Sequence, residues 1–370
     1  MPNNAGGQRP PQGARRLPTL LEPRCSRLVS SAAAGAGRAS RRPRCNLLCL
    51  VVPLLTLLAW RWLNRGDHAG GEGVFSGVEG PDSRPRVAVC FFGLTRSLRW
   101  TLPSVRNRLL GVLEREGMRV HVFVHTFSLV EVNNERAGER GVKYGSFVND
   151  FQELRPVRSL VTNQDEFDRV WPDPLSLTHY NWIYPQDVAG GVIRNVMRAY
   201  WSMSLAWELM AEHAVEGGFE YEAVVLARPD VWFHYDVNIS SRMFPLPERT
   251  VFLPSFDNDD LTKIRRNDRF AYGSVATMRV VMNRIATLLE AGAGKYRGEI
   301  DSEWVLGHHL RQHDISVHML DLLVTRVRLT RDIPFYDHRL VQEACRSGQD
   351  PVACDIVEAG FTFPADGGTP

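Results

Sequence analysis

Phe219-Glu-Tyr-Glu-Ala-Val-Val-Leu-Ala-Arg-Pro-Asp-Val-Trp-Phe233 is the stretch whose reading decides the fold. Ala223 to Ala227 is an unbroken, valine-rich apolar run, which predicts a strand buried on both faces. Pro229 cannot donate to a ladder and ends that strand, so Asp230 is expected at its carboxyl end. In an open α/β sheet the ligand crevice lies at those ends, which would place Asp230 and its neighbour Arg228 where a cation or a phosphate group is met. The plainer alternative is that the two side chains only cap the strand and pair with each other.

The flanking segments repeat the alternation of helix and strand. Upstream, Ile193 to Val215 carries Val196, Tyr200, Met203, Trp207 and Met210 at helical spacing and feeds through Gly217-Gly218 into the strand. The folded body opens with Arg86-Val-Ala-Val-Cys-Phe-Phe-Gly93, a short apolar strand closed by glycine, and Leu94-Thr-Arg-Ser-Leu-Arg then leads into a helical pattern. A strand, a glycine turn and a helix start can form an anion site, so Gly93, Thr95, Arg96 and Ser97 are candidate contacts to a nucleotide diphosphate. Val120 to Phe127 reads as the next strand, which gives a βαβ unit and predicts that the first two strands are parallel. His121 and His125 share one face of it and read as core or loop-mouth histidines.

Residues 131–190 read as irregular, with a possible strand at Ser159 to Val161, a helix near Gln164 to Val170, and an aromatic loop of Tyr180, Trp182 and Tyr184. Past Asp230, Val251-Phe-Leu-Pro-Ser predicts another strand, and Asn267-Asp-Arg-Phe-Ala-Tyr-Gly-Ser274 a strand that ends as a helix begins near Ala276. Glu299-Ile-Asp-Ser-Glu-Trp opens a further helix, with Ser302 as its expected cap and Glu303 in the first turn, where negative charge is favoured. His308, His309, His313 and His318 follow on that helix and its exit.

The amino-terminal part has a different character. Residues 1–44 hold nine arginines and one acid, Glu22, for a net +8, while the chain as a whole carries only +2, so the body beyond Arg65 is acidic. The head is rich in Pro, Gly, Ala and Ser and is expected to be a disordered cytoplasmic tail. Cys45 to Leu63 is nineteen residues long and mostly apolar, with Arg41, Arg42 and Arg44 before it and Trp60 and Trp62 at its end. It reads as a single-pass anchor in a Golgi or endoplasmic reticulum membrane, with the body in the lumen. A cleaved signal or an organelle transit peptide are the alternatives. The expected division is therefore a tail 1–44, an anchor 45–63, a flexible stem 64–85, a catalytic body 86–335 and a partly irregular extension 336–370. Cys345 and Cys354 could close a small loop in an oxidising compartment, and Asn238-Ile-Ser240 is a glycosylation triplet.

In order, the chain holds Val89 to Ser97, Val122-Phe-Val-His-Thr126, Tyr-x-x-Val-Val-x-x-Arg-Pro-Asp230, Asn267-Asp-Arg-Phe-Ala-Tyr-Gly273 and Ser302-Glu-x-x-Leu306. Over roughly residues 86–330 this set resembles a glycosyltransferase-like domain family of unassigned function found in plants and algae, itself similar to bacterial surface-polysaccharide transferases with an Arg-x-Asp motif. The resemblance implies a GT-A-like (Rossmann-like) α/β domain, with a mixed, mostly parallel sheet flanked by helices behind the anchor. It implies transfer of a sugar from a nucleotide-diphosphate donor to a glycan or glycoprotein acceptor, with no nucleic-acid partner.

In the GT-A type an Asp-x-Asp holds Mn²⁺ or Mg²⁺ against the donor's phosphates. Asp230 matches its second Asp and is the implied metal ligand, whereas Arg228 stands where the first would be. That departure leaves two readings open: a cation on Asp230 and waters, or a metal-free site in which Arg228 and Arg96 neutralise the diphosphate. Glu303 or Asp268 is the implied base for an acceptor hydroxyl, and Asp230→Ala is expected to abolish turnover with little change in melting temperature. A non-catalytic glycan-binding relative is one alternative function. A sulfotransferase is the other, since Gly93-Leu-Thr-Arg-Ser-Leu98 superficially resembles a phosphosulfate loop.

Overall fold

The computed structural model describes residues 83–134, 139–145, 147–171, 186–256, 258, 264–292, 301–346 and 361. The expected anchor Cys45 to Leu63, the tail before it, the aromatic loop and Cys354 lie outside the described residues. Among the described residues no helix is long and apolar enough to cross a membrane.

Strand β1 (Arg86–Phe92) leads through Gly93 into helix α1 (Leu98–Ser104), a π-helical stretch Val105–Leu110 and α2 (Gly111–Arg115). Then come β2 (Arg119–Ser128), a hairpin of β3 (Glu131–Asn134) and β4 (Glu139–Lys143), β5 (Arg158–Asn163), α3 (Gln164–Val170) and the long α4 (Gln186–Gly217). The middle of the chain supplies β6 (Ala223–Ala227), β7 (Val231–Phe233), β8 (Thr250–Pro254), β9 (Phe270–Gly273), α5 (Val275–Met282) and α6 (Ile285–Gly292). It finishes with α7 (Ser302–Gln312), β10 (Ser316–Leu320), β11 (Val324–Arg326) and α8 (Phe335–Arg346).

Seven strands form one mixed sheet in the order β10-β8-β9-β6-β1-β2-β5, all parallel except β9, which runs against both β6 and β8. The predicted central strand is β6, and every residue of it is buried. Period-two alternation divides the strands between two cores. Ala88, Cys90, Val224 and Leu226 face α4, with Ile193, Met197, Met203 and Met210, whereas Val87, Val89, Val225 and Ala227 face α1 and α2, with Leu98, Leu109 and Leu113. Each fully buried aliphatic side chain of these layers stabilises the fold by about 1.5–3 kcal/mol, and the rigid strand ends that result carry the site.

His121 and His125 are core residues, as their shared strand face suggested: His125 bonds the Ser202 hydroxyl at 2.6 Å, and burial pushes its pKa down to about 3, so it stays neutral. Other local expectations fail for identifiable reasons. The region expected to be irregular contains the β3–β4 hairpin, whose polar sequence hid it. The cap of α7 is Asp301, whose Oδ1 accepts from the backbone of Glu303 at 3.0 Å and Trp304 at 3.1 Å, and Ser302 lies inside the helix. The folded body also runs past residue 335, because α8 buries Asp337 and Phe361 packs against Trp232 at 5.3 Å between ring centroids.

Candidate functional site

Two strands flank β1, β2 on one side and β6 on the other, and from there the sheet is built outward in opposite directions. The connections leaving the carboxyl ends of β1 and β6 therefore diverge, and this switch point is where an open α/β sheet offers a crevice. Gly93 to Ser97 leave β1 there and Arg228-Pro-Asp230 leave β6. Strand β9 pairs antiparallel with β6, Phe270 opposite Ala227, so its amino-terminal loop, Asn267-Asp268-Arg269, meets the same edge. Three of the predicted segments thus converge.

The convergence is an ion-pair network. Arg228 donates Nε to Asp230 Oδ1 at 2.8 Å and Nη2 to Oδ2 at 2.7 Å, and Arg96 Nη2 reaches the same Oδ2 at 3.0 Å. Arg96 Nη1 in turn donates to Glu139 of β4 at 2.6 Å. Asp230 is only 3% exposed, and burial by itself opposes its ionisation. The charge and hydrogen bonds of Arg228, with Arg96 and Arg328 nearby, outweigh that and hold it well below the usual carboxylate range.

This arrangement changes the part expected of Asp230. Both of its oxygens are taken by guanidinium groups, so the donor set does not suit Mn²⁺ or Mg²⁺: a divalent ion there would have to displace two hydrogen-bonded cations. Among the described residues no group of three or more His, Cys, Asp or Glu side chains is placed to hold a metal. His309, one of the late histidines, bonds Thr287 at 2.7 Å and the Val280 carbonyl at 2.9 Å and belongs to the core.

The glycine turn also works differently from the expectation. Gly93 adopts φ +90°, which only glycine takes without strain, and its N–H donates to Ser202 at 2.8 Å. Thr95 is fully buried, with its N–H on the Tyr144 hydroxyl at 3.1 Å and its own hydroxyl on the Phe147 carbonyl at 2.9 Å. Ser97 donates to the Val327 carbonyl at 2.7 Å, and Thr101 of α1 donates to the Pro229 carbonyl at 2.6 Å. These groups pin the loops of the edge together and are not free for a phosphate. Through these bonds Gly93, Thr95 and Ser97 act as supports of the edge.

Asp268 and Glu303 meet at this edge. Ser302 donates its hydroxyl to Asp268 in a short hydrogen bond, and Tyr200 of α4 donates to the Ser302 carbonyl at 3.0 Å. Burial would raise Asp268, but Arg228, the Ser302 hydroxyl, Arg284 and Arg269 together hold it below the ordinary value and keep it ionised. Glu303 goes the other way: burial first, then the negative charges of Asp268 and Asp301, push it up to about 8. One carboxylate of the pair is charged and the other protonated at neutral pH, the split found where proton transfer is carried out. Close packing fixes the pair, since the Arg266 N–H donates to the Glu303 carbonyl at 3.0 Å and Gly307 lets the backbone of Ile264 lie against α7.

Sequence reasoning missed the segment from Val324 to Leu329. Its inward residues Thr325, Val327 and Leu329 are buried, and Arg326 and Arg328 alternate with them toward the edge. Arg326 is bound by Asp337 of α8, Nη2 to Oδ1 at 2.7 Å and Nε to Oδ2 at 3.0 Å, and Asp337 also pairs with Arg269 at 3.1 Å. The alternating Val-Thr-Arg-Val-Arg-Leu was the available signal. Arg228 and Arg326 each leave 23% of the side chain exposed against 4% for Asp230, so it is the arginines that a ligand would meet.

The chain matches no model of a known protein family, and a search of curated proteins finds no match.

Proposed function

We propose that this chain is a glycosyltransferase of the GT-A type that moves a sugar from a nucleotide-diphosphate donor to a hydroxyl of a glycan or glycoprotein acceptor, with arginines in place of a divalent cation. The observation that carries the reading is the juxtaposition of Asp268, held by the Ser302 hydroxyl, and Glu303 of the same helix turn beside the exposed side of Arg228 at the switch point of the sheet, where burial and neighbouring carboxylates raise Glu303 while arginines keep Asp268 low. A mostly parallel sheet whose one reversed strand lies next to the strand bearing Arg-Pro-Asp agrees with it.

In the reaction, the acceptor oxygen forms a bond to the anomeric carbon and its proton passes to Asp268. The bond from that carbon to the phosphate oxygen breaks, and its electron pair leaves with the nucleoside diphosphate, whose negative charge the guanidinium groups offset. Glu303 supplies a neutral acid next to the base and stops a second negative charge from building up there. Asp230 holds Arg228 and Arg96 in place. On this reading the body works in the lumen of the Golgi or endoplasmic reticulum behind the anchor at residues 45–63.

A non-catalytic glycan-binding relative is the second reading, favoured by the closing of Asp230 inside its ion pairs. The test is a donor screen with the full-length chain in detergent, with and without a metal chelator. Donor consumption that resists chelation and disappears in Asp268→Asn supports the transferase. Glycan binding with no donor consumed under any condition supports the second reading, and turnover that requires added Mn²⁺ removes the metal-free mechanism.

A further inference from the structure

The segment from Arg326 to Leu329 is held along its whole backbone. Arg326 N–H donates to Asp337 at 2.8 Å, Val327 N–H to the Asp230 carbonyl at 2.8 Å, Arg328 N–H to the Asp332 carbonyl at 2.8 Å and Leu329 N–H to Glu139 at 3.0 Å. The Ser97 hydroxyl closes the other side on the Val327 carbonyl. Few stretches of irregular chain are fixed at every residue, and the result is that two guanidinium groups two positions apart point the same way from a rigid support.

Their surroundings differ. Arg326 is neutralised by Asp337, but Arg328 has no hydrogen bond or ion pair from its side chain to any described residue. It is largely enclosed, and desolvation together with the positive charges of Arg96 and Arg326 lowers its pKa to about 9, with Glu139 and Asp230 offsetting only part of that. Nearby, the guanidinium groups of Arg96, Arg228, Arg269, Arg326 and Arg328 outnumber the carboxyl groups of Glu139, Asp230, Asp268 and Asp337, and Asp337 is shared between Arg326 and Arg269. The fold thus maintains an uncompensated cation against repulsion, which an anion would relieve.

We propose that Arg328, with the exposed edge of Arg326, binds the diphosphate of the ligand. An extended chain sets alternate side chains about 6–7 Å apart, which suits two linked phosphoryl groups, one to each guanidinium fork, better than a single carboxylate. The assignment rests on the transferase reading for what lies beyond the phosphates, and it moves the diphosphate from the glycine turn to the chain after β11. Arg96, whose Nη1 and Nη2 are committed to Glu139 and Asp230, has no part in holding it.

The test uses inorganic pyrophosphate and the full-length chain in detergent, comparing wild type with Arg328→Gln, and with Arg242→Gln as an exposed control. The expected result has two parts. Without ligand, Arg328→Gln melts higher than wild type because the repulsion is gone. With ligand, wild type binds pyrophosphate in a salt-sensitive, chelator-resistant manner, and Arg328→Gln weakens that binding by at least tenfold while the control leaves it unchanged. Equal binding by wild type and Arg328→Gln, no binding by wild type, or an Arg328→Gln chain that melts lower or fails to fold would overturn the proposal. Pyrophosphate binding that follows this pattern in a chain that consumes no sugar donor leaves the diphosphate site standing and removes only the transferase reading.

Discussion

Glu303→Gln isolates the protonated member of the acid pair, because glutamine copies the shape of the neutral carboxyl and cannot ionise. In the folded chain Glu303 keeps its proton until about pH 8, whereas in the unfolded chain it titrates near 4.5. Between those values the unfolded state binds fewer protons than the folded one, so Glu303 makes stability fall as pH rises, by about 1.4 kcal/mol per pH unit. Only 16% of the side chain is exposed, so solvent screening removes little of this. Across pH 5 to 8 the loss comes to about 4 kcal/mol in wild type and is absent in the variant. At about 2–4 °C per kcal/mol for a body of this size, the two melting temperatures should nearly coincide at pH 5 and differ by roughly 10 °C at pH 8, with the variant higher. Denaturant unfolding at pH 5, 6.5 and 8 measures the same difference directly. Curves that run parallel at all three pH values would refute the reasoning, since Glu303 would then titrate alike in both states.

Two more outcomes follow from the same network. Asp230→Asn removes the charge between the buried Arg96 and the partly exposed Arg228 and leaves both short of a partner, so it should cost about 3–5 kcal/mol in a denaturant titration. That reverses the expectation that Asp230 could be replaced with little change in melting, and an unchanged midpoint would restore it. Gly307→Ala would bring a methyl group within 1.5 Å of the Ile264 carbonyl oxygen, so α7 must shift away from the loop that carries Asp268. A loss of about 1–3 kcal/mol is expected from the overpacking, with donor turnover reduced more than the stability loss accounts for; turnover equal to wild type would show that the loop and helix are not jointly positioned.

The sheet was readable because its signals are local. Five apolar residues before a proline can hardly be anything but a central strand, and the βαβ opening follows from spacing alone. That Asp268 and Glu303 lie at the starts of β9 and α7 was legible, because each start carries a recognisable pattern. What pairs with what was not. Arg96 finds Glu139 43 positions away and Asp230 134 positions away, and Glu139 reaches Leu329 across 190. Nothing in the composition around Glu139 marks it as fully buried. The cap of α7 illustrates a closer competition: Asp301 and Ser302 are both capping residues, and the choice fell to Asp301 because Asp268, distant in sequence, claims the Ser302 hydroxyl.

Strand β9 runs opposite to its neighbours, and that single reversal determines which parts of the chain can alter the rim of the crevice. Elsewhere in the sheet only connections that follow a strand arrive at this edge, but here it is the one that precedes it, through Asn267-Asp268-Arg269, while what comes after Gly273 departs toward the far side. Lengthening or re-sequencing that approach could change which molecules are admitted without disturbing a strand, whereas an insertion of the same size past Gly273 would leave admission untouched.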